Sequence, residues 1–446
     1  GLPAVFQEIR STPSTMEAAR VLIFLALYFD FVILQADCVK AYLQALMTGV
    51  PTFVKLPRAW WPADWSKRFK EPVVRLKRAL YGHPLAGEMW HEHIETAIRK
   101  LRYESMLEWP SMYYRGLGDA LVIIVLYVDD LLVAAKTQAA SEALKELRVH
   151  IKIGEADPMN KYLGCHHHFA EQDNTHTCQF DMKDYVRAAA ADFTKKTGVI
   201  PKRAQTPYAP ELPREQTDEL VGRAGSYAED AAHYLMRLMF AARLARPDLS
   251  LPIQRLATQI TRWTADCDRR LARIYGYIVA EESMVLQGSV NPNFRPKFIC
   301  WPDADLAGDA TSSRSTSGSW IEIQTGTHCF PVAWSSKRQT STSCHTCEAE
   351  TVSLATCLRQ QAIPIQELLA RLTGEDIHVH VMEDNSACIS AINKGYSLAM
   401  RYLKRTQKID LGFLHEVLSS DNYHLEKADT KIHKGDFFTK PLNIPA

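Results

Sequence analysis

Two adjacent carboxylates, Asp129 and Asp130, interrupt an otherwise apolar stretch between Ala120 and Ala135. The residues on either side are mostly aliphatic, and this pattern predicts a β-hairpin with the acids at its turn. A buried, unpaired carboxylate is costly, so it protonates, pairs or binds a cation. Asp is also a common residue in plain turns. This segment alone therefore leaves a turn and a cation site as open alternatives.

A third acid, Asp37, ends a predicted strand over residues 31–37, which follows a predicted helix over residues 14–29. Mg²⁺ prefers hard oxygen ligands, and a few carboxylates together with substrate phosphates are enough to hold it. Three acids at strand ends therefore favour a divalent-cation site of the kind that activates a hydroxyl and stabilises a leaving oxygen in phosphodiester chemistry.

Charge and hydropathy restrict the partners. The chain has 52 Lys and Arg against 51 Asp and Glu, a net charge of +1, so a polyanion must be held by a local basic patch. The longest apolar run, Val21–Leu34, is shorter than the ~20 residues of a membrane helix, and no membrane partner is expected. Because the sequence starts at Gly1 without a signal-peptide pattern, we expect the N-terminus to be cut from a longer protein.

Acidic residues also follow predicted strands, or begin a predicted helix, in the C-terminal part of the chain. That helix runs to about Leu372, and acids in its first turn also favour the helix dipole. Periodicity does not choose between Glu348 and Glu350. The acids in question are Asp303, Asp305, Glu348, Glu350, Glu383 and Asp384.

Four motifs, in this order, resemble the reverse transcriptase of copia-type LTR retrotransposons: LQADCVKAYLQA, VVRLKRALYGHPLAGEMW, LYVDDLLVAAK and KYLGCHHHF. The resemblance continues to the tail ending in FFTKPL and covers nearly the whole chain. It implies an α+β polymerase palm, an antiparallel sheet with helices, then a helical thumb and connection, and an α/β RNase H-like domain.

In the polymerase half, the resemblance implies that Asp37, Asp129 and Asp130 are the catalytic metal ligands. It implies that Tyr42 lies beside the sugar of the incoming nucleotide and discriminates against a 2′-hydroxyl. Leu85 stands where the family usually has a Gln that contacts this nucleotide, so nucleotide positioning is expected to differ here.

The resemblance also implies a primer grip at Tyr162, Leu163 and Gly164, and it implies that the basic fingers residues precede the first residue of this chain. The Gly, Asn and Pro residues between 286 and 296 indicate a linker. The predicted divisions are a palm with partial fingers over 1–170, a mostly helical thumb and connection over 171–285, the linker over 286–296, and an RNase H-like domain over 297–446.

In the C-terminal domain, the resemblance selects Glu350 rather than Glu348. It leaves Asp305 and Glu383 as neighbours outside the ligand set or at the surface. Lys408 occupies the place of a His that the family uses in a loop near the nuclease site. The four implied catalytic and metal-binding acids are Asp303, Glu350, Asp384 and Asp436.

The sequence thus predicts an RNA-directed DNA polymerase with RNase H activity, using two Mg²⁺ or Mn²⁺ ions at each site. Its expected partners are an RNA template, a DNA primer, RNA/DNA hybrid and deoxynucleoside triphosphates. Its expected location is the cytoplasm, in a virus-like particle, with the nucleus as a second compartment. Two alternatives stay open: a decayed or domesticated copy that only binds nucleic acid, and an enzyme with RNase H activity alone.

Overall fold

The structure, a computed structural model, describes residues 13–210, 212–309 and 312–441. The chain divides into two compact units, Gly1–Met159 and Asn160–Ala446. The first division thus falls before the predicted boundary at residue 170. None of the helices in the described ranges combines the length and the apolar character that crossing a membrane requires.

The first unit contains an antiparallel six-stranded sheet in the order β4-β5-β6-β7-β1-β8 and a separate pair, β2-β3. Its strands are β1 (Val32–Cys38), β2 (Phe53–Lys55), β3 (Val73–Arg75), β4 (Glu104–Met106), β5 (Trp109–Arg115), β6 (Val122–Tyr127), β7 (Asp130–Ala135) and β8 (Ile153–Pro158). Its helices are α1 (Met16–Phe29), α2 (Ala41–Gln44), α3 (Trp65–Arg68), α4 (Ala86–Lys100) and α5 (Thr137–Arg148).

The predicted hairpin is β6 and β7, at the centre of this sheet. Alternate residues of β6, such as Ile124, pack in one core with residues of α4 and α5. Helix α1 also contacts β6 and β7. Since successive side chains of a strand point to opposite faces, covering both faces explains why these strands are apolar at almost every position.

The second unit contains a four-stranded sheet in the order β12-β11-β10-β9. In sequence, a group of helices lies between β11 and β12. These strands are β9 (Lys161–Tyr162), β10 (Cys165–Gln172), β11 (Thr175–Asp181) and β12 (Leu286–Val290). The helices between β11 and β12 are α6 (Lys183–Thr197), α7 (Arg214–Val221), α8 (Ala231–Leu244), α9 (Ser250–Ala257) and α10 (Ala265–Ala280).

This arrangement corrects the predicted linker over residues 286–296. Leu286–Val290 is a strand that pairs with β11, and an added Cβ at Gly288 would lie 2.4 Å from the ring of Phe330. The indole N–H of Trp334 donates to the carbonyl of Ala242 at 2.8 Å. The thumb and connection region therefore packs directly on the RNase H-like region, within one compact unit.

The rest of the second unit is a five-stranded mixed sheet in the order β15-β14-β13-β16-β17. Its strands are β13 (Lys297–Ala304), β14 (Thr316–Thr325), β15 (His328–Arg338), β16 (Val379–Glu383) and β17 (Tyr423–Lys427). Its helices are α11 (Thr346–Cys357), α12 (Ile363–Thr373), α13 (Ser386–Lys394), α14 (Leu403–Thr406) and α15 (Leu411–Leu418). The predicted fold class, an antiparallel palm sheet with helices followed by helices and an α/β domain, is confirmed.

Candidate functional site

The acids of the first unit meet at one end of its sheet. Asp37 is directly opposite Asp130 in the antiparallel pairing of β1 with β7, and the backbone N–H of Cys38 donates to the carbonyl of Asp129 at 2.8 Å. Asp37 is exposed, and Asp129 and Asp130 are half-buried. The pairing of two strand ends therefore brings together three acids that lie far apart in the sequence.

The turn that carries Asp129 is held in an unusual backbone conformation. Tyr127 pairs with Asp130, which leaves Val128 and Asp129 as the two turn residues, and Val128 has φ +59°. Two-residue hairpin loops require positive φ, which is unfavourable for a β-branched residue and costs ~1–3 kcal/mol. The buried indole of Trp90 donates to the carbonyl of Val128 at 2.6 Å. Trp90 thus fixes the turn, a role that the sequence did not reveal.

Two of the three carboxylates, Asp37 and Asp130, hold their protons more tightly than isolated carboxylates do. Although Asp37 is exposed, partial desolvation, followed by repulsion from Asp129, raises the pKa of its carboxyl. Burial and the charges of Asp129 and Asp37 raise the pKa of Asp130. The same acids, after burial, raise the pKa of Tyr81, so its phenol also lies close to them. Such a concentration of negative charge fits a site for divalent cations.

The two predicted nucleotide-binding residues lie together. The side chains of Tyr42 and Leu85 both pack on a small apolar cluster that includes Ala79 and Met89, and the Tyr42 ring lies 4.6 Å from that of Tyr81. Because Tyr81 is coupled electrostatically to Asp129, this cluster borders the acidic end of the sheet.

The predicted primer grip is a tight hairpin in the second unit. Leu163 and Gly164 connect β9 to β10 and have φ +51° and +78°, which suits a two-residue turn. Tyr162 is only 2% exposed, so its side chain belongs to the core rather than to a contact surface. Contact with a primer through this turn stays a prediction.

In the second unit, parallel pairing places two acids at one sheet edge. Strands β13 and β16 run in parallel with Cys300 beside Val381. Asp303 and Asp384 each lie three residues further on, at the C-terminal ends of their strands, so they meet at the same edge. Asp303 is 1% exposed, whereas Asp384 is half-buried.

Helix α11 supplies Glu350 to this edge. The hydroxyl of Ser353 donates to the carbonyl of Asp303 at 2.6 Å and fixes the helix on β13. Glu348 instead accepts hydrogen bonds from the backbone N–H of Cys344 and the hydroxyl of Tyr402. The structure therefore brings Glu350 beside Asp303 and uses Glu348 to fasten the start of the helix.

The fourth acid, Asp436, reaches the site through a close backbone approach. It lies in the 3₁₀ segment Lys434–Phe438, next to Gly435. An added Cβ at Gly435 would lie 2.7 Å from the Cβ of Asp303 and 2.8 Å from the carbonyl oxygen of Trp301. Only glycine lets this segment lie against β13, so Gly435 determines how close Asp436 comes to Asp303.

Two groups of candidate metal ligands overlap at Asp303. One consists of Asp303, Glu350 and Asp384, and the other of Asp303, Asp436 and His433; within each, the ligand atoms lie within 4.8 Å of one another. In the described part of the chain these are the groups of three that meet this criterion, and the acids of the first unit do not. The predicted set of four acids is thus brought together, and His433 is added to it.

The chemistry of the donor atoms fits a cation. Asp303 Oδ1, Glu350 Oε2 and Glu383 Oε2 are buried with no hydrogen-bond partner among the described residues. Burial raises the pKa of Glu350, and repulsion from Glu383 and Asp303 raises it further. Buried acceptors without donors are costly, and a divalent cation between them would remove that cost. Glu383 is fully buried, so of the two predicted alternatives it is a neighbour of the ligand set and not a surface residue.

Lys440 partly neutralises this pocket. Its ammonium forms an ion pair with Asp436 and lies 3.7 Å from Asp303 Oδ1, while the hydroxyl of Thr439 donates to Asp303 Oδ2. Lys440 is exposed, so its side chain can move away when another cation binds. Thr439 and Lys440 both belong to the tail ending in FFTKPL, to which the family resemblance extends.

We expect the metal-free protein to become less stable as the pH rises. Burial raises the pKa of Asp303 to about 6, above its value of ~3.9 in an unfolded chain. The folded state therefore binds this proton more tightly, and its advantage, up to ~3 kcal/mol, is complete below pH ~4 and lost as the pH rises through about 6.

The measurement is the thermal unfolding midpoint between pH 4.5 and 7.5 in a metal chelator, compared with Asp303→Asn. The decline should be flatter in the variant and should shrink when Mn²⁺ is added to wild type. Identical slopes for the two proteins would contradict the assignment.

The loop containing Lys408 lies next to the start of α11. Gln407 donates to Glu348 at 3.4 Å, and Lys408 is exposed with φ +59°. Arg401 and Arg405 are also exposed, whereas Lys404 pairs with Asp410 at 2.7 Å. This loop forms a local basic patch on the side of the site from which α11 enters.

The chain is similar in sequence to several known proteins. Residues 4–203 match the family model described as reverse transcriptase (RNA-dependent DNA polymerase). The putative transposon Ty5-1 protein of Saccharomyces cerevisiae is 27% identical over 306 residues, which are 68% of this chain and 92% of that protein. The retrovirus-related Pol polyprotein from transposon TNT 1-94 of Nicotiana tabacum is 22% identical over 98% of this chain.

The retrovirus-related Pol polyprotein from transposon RE2 of Arabidopsis thaliana is 24% identical over 95% of this chain. The chain spans 32% of the length of the tobacco polyprotein and 28% of that of the Arabidopsis polyprotein. Among solved structures, the foamy viral protease-reverse transcriptase in complex with RNA/DNA hybrid has a TM-score of 0.49 and 10% identity, covering 98% of this chain and 48% of that one.

Proposed function

Because the chain belongs to the Pol proteins of copia-type LTR retrotransposons, we propose that it hydrolyses the RNA strand of RNA/DNA hybrids at the Asp303 site and synthesises DNA at the Asp129 site. The hydrolytic activity has the stronger geometric support. The observation that carries it is the membership of Asp303 in both ligand groups.

In this proposal, Asp303 is the shared ligand, and Glu350 and Asp384 complete one ion site while Asp436 belongs to the other. A pair of Mg²⁺ or Mn²⁺ ions, when bound, supplies activation of the attacking water and stabilisation of the leaving oxygen. Glu383, buried behind Glu350, adds negative charge that strengthens cation binding. Ser353 and Gly435 position the helix and the C-terminal segment that carry the ligands.

The substrate class follows from charge and shape. The chain as a whole is nearly neutral, but Arg401, Arg405 and Lys408 are exposed beside the start of α11. Basic side chains at this position would bind a phosphate backbone near the carboxylates. Selectivity for the RNA strand of a hybrid requires reading both the 2′-hydroxyl and the duplex shape.

DNA synthesis is the second activity, supported by the family match and by the opposed Asp37 and Asp130. The three acids of that site do not come as close together as those of the second unit, and Leu85 replaces an expected amide. These two observations favour hydrolysis alone as the alternative function.

A paired assay on the same purified chain tests the proposal. Cleavage of a labelled RNA/DNA hybrid and extension of a DNA primer on RNA are measured with Mg²⁺ and with Mn²⁺. We expect both activities, and we expect single-stranded RNA to be spared. Cleavage without extension would leave hydrolysis alone, and equal cleavage of single strands and hybrids would contradict the substrate assignment.

We expect Leu85→Gln to lower the KM for deoxynucleoside triphosphates several-fold in primer extension. A net hydrogen bond contributes ~0.5–1.5 kcal/mol, and the side chain lies beside Tyr42 at the edge of the apolar cluster. Leu107→Gln is the control, because Leu107 is 92% exposed. An unchanged KM and kcat in Leu85→Gln would show that the nucleotide is contacted elsewhere.

A further inference from the structure

His433 is a buried histidine at the edge of the carboxylate pocket. It is 5% exposed, and its ring packs edge-on against Trp301 with 5.5 Å between ring centroids. It precedes the 3₁₀ segment that carries Asp436. The set of metal ligands implied by the family resemblance contains only acids and does not include His433.

The hydrogen bonds of the ring determine which nitrogen is available. Nε2 lies 2.9 Å from the carbonyl oxygen of Met382, and a carbonyl can only accept, so Nε2 carries the proton. Nδ1 is buried with no hydrogen-bond partner among the described residues. In the neutral ring this leaves a lone pair on Nδ1, and a backbone carbonyl that fixes the tautomer in this way is typical of histidines that ligate metals.

The surroundings of the ring contain a second acceptor without a donor. A ring nitrogen of His433 and carboxylate oxygens of Asp303 and Asp436 lie within 4.8 Å of one another. Asp303 Oδ1 is likewise buried without a hydrogen bond, and the exposed ammonium of Lys440, 3.7 Å away, is the cation that a bound metal ion would replace. These two buried acceptors, together with the carboxylate of Asp436, would share a divalent cation at lower free energy than the acceptors have without a donor.

The two halves of the pocket differ in ligand type. Asp303, Glu350 and Asp384 offer only oxygen, which suits Mg²⁺. The half with Asp303, Asp436 and His433 offers one imidazole nitrogen in addition to carboxylates. Imidazole suits transition-metal ions, and carboxylates suit both Mg²⁺ and Mn²⁺, so an added imidazole favours Mn²⁺, the transition-metal ion of the two.

We propose that His433 is a nitrogen ligand of the ion held by Asp303 and Asp436, and that it makes this position selective for Mn²⁺ over Mg²⁺. The proposal rests on the proposed hydrolytic site but extends its ligand set. The buried ring, the tautomer fixed by Met382 and the unpaired Nδ1 together carry it.

The test uses the full chain, purified without metal and loaded with Mn²⁺. Pulsed electron paramagnetic resonance should detect hyperfine coupling from a directly bound ¹⁴N nucleus. Protein labelled with ¹⁵N-histidine should show the ¹⁵N coupling instead, a readout that needs neither a variant nor activity.

His433→Gln keeps an amide donor for Met382 and removes the ring nitrogen. We expect it to lose the nitrogen coupling and to weaken Mn²⁺ binding at this position by at least ~10-fold, while Mg²⁺ binding changes less. His378→Gln is the control, because His378 directly precedes strand β16 of the same sheet, is exposed and contacts His424 rather than the carboxylate pocket.

The outcomes separate this inference from the proposed function. Hybrid cleavage without any histidine coupling to bound Mn²⁺ would overturn the inference and leave the function standing. Histidine coupling in a chain that cuts no hybrid would support the ligand and contradict the function. Failure of wild type to bind Mn²⁺, or coupling that persists in His433→Gln, would also overturn the inference.

Discussion

Replacing Asp303 by Asn is expected to reduce hybrid cleavage by about three orders of magnitude, or ~4 kcal/mol in transition-state stabilisation. The reason is that Asp303 belongs to both ligand groups, so one substitution weakens both ion sites. The amide is nearly the same size and can still accept from Thr439, so the fold should persist. Metal-free stability at neutral pH should rise, because a buried charge is removed.

Cleavage rates and metal-free unfolding midpoints of the two proteins check this expectation. Asp305→Asn is the neighbouring control, since Asp305 accepts from the backbone N–H of Thr316 and lies outside both ligand groups. Its cleavage rate should stay close to that of wild type. An Asp303→Asn protein that cuts at the wild-type rate would place the chemistry elsewhere.

Replacing Asp129 by Asn is expected to abolish primer extension and to leave hybrid cleavage unchanged. Asp129 lies in the turn fixed by Trp90, and its charge raises the pKa of both Asp37 and Asp130. Loss of that charge weakens a shared cation site, and we expect a loss of ~10²–10³-fold or more in kcat, comparable to removal of one electrostatic stabiliser in other enzymes.

Both activities are measured on one preparation, so that a folding defect is distinguished from a local effect. Asp119→Asn serves as the control, because the side chain of Asp119 is 92% exposed. Extension that survives in Asp129→Asn would refute its assignment as a metal ligand. If wild type itself extends no primer but cuts hybrids, hydrolysis alone becomes the function of this chain.

The pattern of apolar residues located most of the helices and strands near both sites. The hairpin of β6 and β7 follows from two apolar runs separated by Asp129 and Asp130, and α4 follows from helical spacing. Longer helical patterns are less informative: helical apolar spacing continues over residues 216–245, yet the structure has two helices there, α7 and α8, separated by a break that contains Gly222 and Gly225. Periodicity reports burial, but it does not report where the backbone must turn.

The sequence by itself determined the acids at strand ends, and the family resemblance selected the four that now meet in the second unit. Periodicity did not distinguish Glu350 from Glu348. The family resemblance did not include His433 among the metal ligands, and the sequence did not show that Glu383 is buried. Those depend on the parallel pairing of β13 with β16 and on a C-terminal segment that returns to β13, where Thr439 contacts Asp303 across 136 positions. Contacts over such distances arise from packing of the whole unit, which no local pattern of residues encodes.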